Sequence, residues 1–213
     1  LETSEVLGIK VAYQLCDLKR LNDIESSRTG HEPISIKFSE FSSASILALK
    51  ASLNSDEYES YLLAIPGSVL ANIYQEFGAR LLEQNVRTFL QARGNVNKGI
   101  IDTATKKPEM FFAYNNGLTA TASSVECSPT SSGLEVETIE NLQIVNGGQT
   151  TASLVYAKLK NNCDLEEVFV QMKLSVIKQD RIAAIVPKIS EYANTQNRIL
   201  KSDTRRKNDG VGI

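Results

Sequence analysis

Two glycine-centred polar turns, Tyr114-Asn115-Asn116-Gly117 and Asn146-Gly147-Gly148-Gln149-Thr150-Thr151, constrain this chain more than any other feature because of what lies between and after them. Leu118 to Val125 and Leu134 to Val145 are rich in Thr, Val and Ile. Within the second, Leu134-Glu135-Val136-Glu137-Thr138-Ile139 alternates with the period of a half-buried strand. A polar loop from Cys127 to Gly133 is expected to separate the two strands. Paired antiparallel in even register, they bring the two Asn-Gly turns face to face.

The second turn runs into Ala152-Ser153-Leu154-Val155-Tyr156-Ala157-Lys158-Leu159, so the segment reads as strand, tight turn, helix. Amides at a helix start lack internal partners and suit an anion, and Gly147 and Gly148 permit positive φ or a close backbone approach. Gln149, Thr150 and Thr151 add neutral donors. The spacing is not that of a Walker loop, since no Lys follows the glycines. A helix cap preceded by a turn accounts for the same residues structurally.

Periodicity elsewhere fills in the frame. Val6 to Leu15 fits a strand or a short helix, Leu15 to Ile24 has helical spacing, and Ile34 to Phe38 alternates as a strand. Tyr61 to Ile65, closed by Pro66-Gly67, reads as a buried strand. Ser68 is placed to cap a helix that ends at Gly78. Ile100 to Thr105 is expected to be helical. Val168, Val170, Met172, Leu174 and Val176 form the clearest strand, with Phe169, Gln171, Lys173 and Ser175 on a face left partly exposed or lying under a loop. Ile182, Ile185, Ile189 and Tyr192 predict a helix to about Ala193, with a kink or a break at Pro187, and Asn194 to Arg198 is expected to end it. These elements predict an α/β (α+β) fold with a mixed or antiparallel central sheet flanked by helices. The expected division is 1–52 as an N-terminal α/β segment, 53–200 as the core domain and 201–213 as a mobile tail.

Four blocks carry a family resemblance: Leu81 to Leu90, Phe112 to Thr119, Ile144 to Thr151 and Ile189 to Asn197. Together they resemble the AIPR family, named for abortive-infection phage resistance. The resemblance implies bacterial antiviral defence and leaves the molecular reaction open; members of that family are generally longer chains.

The net charge of −2 provides no overall attraction to nucleic acid, so such binding would need a local basic patch. Three widely spaced cysteines, Cys16, Cys127 and Cys163, argue against a disulfide framework or a zinc cluster, and no run approaches the ~18 apolar residues of a membrane span. A cytoplasmic location and no membrane partner are the resulting expectations. The single histidine, His31, sits beside Gly30 and Pro33 as a loop residue. No cofactor can be named.

The four blocks are rich in Asn, Gln, Thr, Gly and Arg and poor in His, Cys and paired carboxylates, which is the composition of a recognition site. The expected ligand-binding set is Asn85, Arg87, Asn115, Asn116, Gly117, Asn146, Gly147, Gly148, Gln149, Thr150, Asn194, Gln196 and Asn197. Within it Arg87 is the cation expected to meet a phosphate, two residues from Asn85. The ligand class is phosphate-bearing, a nucleotide or nucleic acid. The alternatives are a protein-interaction module that senses a phage component, and a nucleotide or phosphodiester hydrolase.

Overall fold

The computed structural model describes residues 2–6, 9–13, 34–51, 57–82 and 97–206, with side chains placed between 34 and 195. The chain divides into two units, Leu1–Glu32 and Pro33–Ile213. In the first, β1 (Glu2–Val6) and β2 (Ile9–Tyr13) form an antiparallel hairpin, so the ambiguous Val6 to Leu15 stretch contains a strand. The helix expected at Leu15 to Ile24 and the loop holding His31 lie outside the described residues.

In the second unit the chain passes through β3 (Ser35–Lys37), β4 (Leu47–Lys50), β5 (Tyr58–Pro66), α1 (Gly67–Phe77), α2 (Lys98–Lys106) and a short α3 (Phe111–Tyr114). It continues through β6 (Leu118–Ala122), β7 (Ser124–Thr130), β8 (Gly133–Glu140), β9 (Gln143–Asn146), α4 (Gly148–Asn161), β10 (Phe169–Ile177) and α5 (Ile182–Arg206). The strands form one mixed sheet in the order β3-β8-β4-β5-β10-β6-β9, with β7 on β8. Most neighbours are antiparallel, whereas β6 and β10 run parallel.

The stretch between the two turns is a single long hairpin bent at a corner. Ser123 alone separates β6 from β7, and Asn141 with Leu142 separates β8 from β9. Asn141 takes positive φ (55°), its side-chain oxygen accepts from the Ile34 amide at 3.1 Å, and its side-chain amide donates to Ser123 Oγ at 2.9 Å. Asparagine tolerates this backbone better than most residues, so the corner has a chemical cause. One half of the hairpin lies at each end of the strand order, which makes the sheet curl. The polar loop expected from Cys127 to Gly133 shrinks to the turn Ser131–Ser132, because β7 continues to Thr130. Pro129 does not stop that strand, since among the described strands β7 pairs with β8 alone and an edge strand tolerates a missing donor.

The hydrophobic core lies on one face of the sheet. Leu63, Ile65, Val170, Met172 and Leu174 are buried there with Val69, Leu70 and Ile73 of α1 and Leu154 of α4. Period-2 geometry then sends Tyr58, Ser60, Leu62, Lys173, Ser175 and Thr119 to the other face. Here β5 departs from the buried strand expected of Tyr61 to Ile65. Leu62 and Ala64 are exposed, because the described residues cover this face only in part.

That partial cover is α5. It runs unbroken through Pro187, where a kink or break was expected. Pro187 and Ala183, whose carbonyl loses its helical donor, are both exposed, so water can satisfy that carbonyl. Nor does the helix end at Asn194 to Arg198. Thr195 Oγ1 bonds back to the Glu191 carbonyl at 2.7 Å and Asn194 turns its amide inward, so these polar side chains find partners without terminating the helix.

Candidate ligand-binding cleft

The two glycine turns meet at the foot of the hairpin. Thr119 pairs with Asn146 across β6 and β9. Gly147 has φ +92°, the left-handed conformation that starts α4, and a Cβ placed there would lie 2.7 Å from the Gly117 carbonyl oxygen and 2.5 Å from Leu118 Cδ2. Gly117 has φ +69° and sits so close to Gln171 of β10 that a Cβ would overlap its backbone. Only glycine satisfies both the conformation and the approach. This contact explains why both turns are glycine-centred.

Between this foot, the polar face of the sheet and α5 lies a cleft of about 490 Å³. Its floor is Tyr58 and Ser60 of β5, Lys173 and Ser175 of β10, Thr119 of β6 and Asn146 of β9, with Asn116 and Gly117 at the turn. Its other wall is Ile185, Lys188, Ile189, Tyr192 and Ala193. These positions recur at helical spacing, so one face of α5 overlies the strands. The helix is held by side-chain amides: Asn146 Nδ2 donates to the Ala193 carbonyl and to Asn194 Oδ1, both at 2.9 Å. Asn194 Nδ2 in turn donates to the carbonyls of Ser190 at 2.7 Å and Val145 at 3.4 Å.

The residues expected to bind a ligand therefore separate. Asn116, Gly117 and Asn146 line the cleft. Asn194 touches Asn146 and joins helix to sheet. Asn115 closes α3 instead, its Nδ2 donating to the Phe111 carbonyl at 3.0 Å. Gly147, Gly148, Gln149 and Thr150 form the start of α4 beside the cleft without lining it; the Thr150 amide bonds the Gly147 carbonyl at 2.9 Å. Thr151, fully buried, is the one residue among those described with a buried side-chain oxygen that has no partner. Asn85 and Arg87 lie outside the described residues, and so do the side chains of Gln196 and Asn197, whose backbone belongs to α5.

Two cations of the cleft were absent from the expected set. Lys173 projects from the second face of β10, and Lys188 lies one turn before Tyr192. The signal for the first was the alternation of β10, which fixes the polar face. For the second it was the helical repeat of Ile185, Ile189 and Tyr192, which Lys188 shares. Among the described residues neither lysine has an ion pair and no carboxylate lines the cleft. Lys50, across the sheet, differs: Glu59 accepts from it at 2.7 Å and from the Tyr61 hydroxyl at 2.6 Å. Those two hydrogen bonds, the lysine's first, hold the Glu59 carboxyl below its ordinary pKa. The cleft is thus lined by two ammoniums without an ion pair among the described residues, together with hydroxyls and amides. Among the described residues no three of His, Cys, Asp and Glu cluster to hold a metal ion, and no helix is long and apolar enough to cross a membrane.

A family model, AIPR protein, matches residues 82–210. The chain belongs to the AIPR family. The match associates it with abortive-infection defence against phage, and it contains every lining residue of the AIPR cleft except Tyr58 and Ser60. No curated protein and no solved structure matches the chain.

Proposed function

We propose that this AIPR protein acts in phage defence by binding a phosphate-bearing ligand, a nucleotide or nucleic acid, in the cleft under α5. The observation that carries this reading is the pair of lysines, Lys173 from the sheet wall and Lys188 from the helix wall, lining one cavity with no carboxylate among its described lining residues. Thr119, Ser175 and Asn116 line the same space with the neutral donors that phosphate oxygens accept from. The volume falls inside the roughly 300–1,000 Å³ range of small-molecule sites.

The test is thermal melting with pyrophosphate, a nucleotide and a single-stranded oligonucleotide. A ligand at ~100 times its dissociation constant adds about 2.7 kcal/mol of stability, a rise of roughly 5–11 °C for a chain of this size class. Lys173→Met is expected to weaken binding by about 1.5–3 kcal/mol, the worth of a hydrogen bond to a charged group. Its melting temperature without ligand should be unchanged, because Lys173 is exposed. No shift with any of the three probes would overturn the reading and leave recognition of a phage protein as its replacement.

A further inference from the structure

The strand registers and the helix position give the cleft a direction. Tyr58 pairs with Ile177 at one end of the β5–β10 ladder. Lys173 lies four residues back along β10, about 13 Å away at strand rise. There it pairs with Thr119, which also pairs with Asn146. The bond from Asn146 to the Ala193 carbonyl places Tyr192 and Ala193 at this same end. Lys188, five residues earlier on α5, stands roughly 7–8 Å back toward the Tyr58 end. The two ammoniums therefore occupy the middle and the turn end of a short trough, with an aromatic ring contributed by each wall.

Resting on the reading of the cleft as a phosphate site, we infer that its ligand is one nucleoside monophosphate, with the phosphate held by Lys173 and Lys188 and the base stacked on Tyr192. Charge supports a single unit. A phosphomonoester carries about −1.5 to −2 near pH 7, which two ammoniums balance. A protein that tracks a nucleic-acid backbone commonly makes on the order of 6–10 phosphate contacts, and among the described residues this trough offers two cations. Tyr192 is 66% exposed, which leaves it accessible to a base while its helix is fixed by the Asn146–Asn194 bonds. Base–aromatic stacking is tolerant of base identity. The exposed Asn116 side chain lies at the same end and presents an amide donor and acceptor to the edge of a base.

Isothermal titration of the whole chain with inorganic phosphate, the four nucleoside monophosphates and a short single-stranded oligothymidylate tests this. Each monophosphate is expected to bind about tenfold or more tightly than inorganic phosphate, which has a similar charge and no base, through the stacking contribution. Tyr192→Leu should abolish that advantage, and Tyr192→Phe should retain it. The inference is overturned, with the phosphate reading intact, if monophosphates bind no more tightly than inorganic phosphate, if Tyr192→Leu changes nothing, or if the oligonucleotide binds far more tightly than the monophosphates. Failure of every probe, inorganic phosphate included, overturns both.

Discussion

Gly147→Ala is expected to lower the stability of the AIPR domain by about 4 kcal/mol, which combines a left-handed backbone at an L-residue with overpacking in a contact that cannot relax. For chains of roughly 150–250 residues this is a fall of ~8–16 °C in melting temperature. The argument rests on which atoms the new methyl meets. Leu118 Cδ2, at 2.5 Å, is the end of a flexible side chain and can swing away. The Gly117 carbonyl oxygen, at 2.7 Å, cannot, because Gly117 is itself pressed against the Gln171 backbone. Gly147→Asn separates the two causes. Asparagine accepts the left-handed conformation but brings the same Cβ, so it should be almost as damaging as alanine. Near-wild-type melting of the asparagine variant would show that backbone conformation alone was at issue and that the two turns do not press on one another.

The double charge reversal Lys173→Glu with Lys188→Glu should have the largest effect on binding. Losing two charge-assisted hydrogen bonds removes roughly 3–6 kcal/mol, on the order of a thousandfold in affinity, and the new carboxylates add repulsion toward any phosphate. Stability should barely change, since both side chains are exposed and neither has an ion pair among the described residues to lose. Titration with pyrophosphate beside a melting curve measures both. Unchanged affinity in the double variant would remove the cleft as the site, and a collapse in melting temperature would assign the lysines a structural role instead.

What could be read from the chain beforehand depended on whether the signal was local. The alternation Val168 to Val176 predicts β10, and the two Asn-Gly turns predict a hairpin whose feet meet, because strand period and turn chemistry are written within a few residues. The corner at Asn141 was not legible, since its positive φ is held by Ile34, a residue more than a hundred positions away. The continuity of α5 was hidden for a similar reason. Asn194 has the composition of a helix end, and only its tertiary partners, the Val145 carbonyl and Asn146, reveal that it joins helix to sheet. The expected cation, Arg87, came from a matching block. Strand parity already puts Lys173 on the open face of its strand, but no local signal shows that α5, with Lys188, lies over that face.

The bent hairpin also sets an order of assembly. Its pairs lie close in sequence, beginning with Thr130 and Gly133, so each closes a short loop. The β5–β10 ladder that floors the cleft joins residues such as Tyr58 and Ile177, more than a hundred positions apart, and cannot form until that large loop has closed. Core truncations in the hairpin, such as Ile139→Val, should therefore slow refolding, whereas Leu174→Ala in the floor should mainly speed unfolding. Stopped-flow refolding of the two variants reads this directly, and equal φ-values would contradict it. A nascent chain then completes its hairpin scaffold early and gains the cleft only when β10 and α5 are in place.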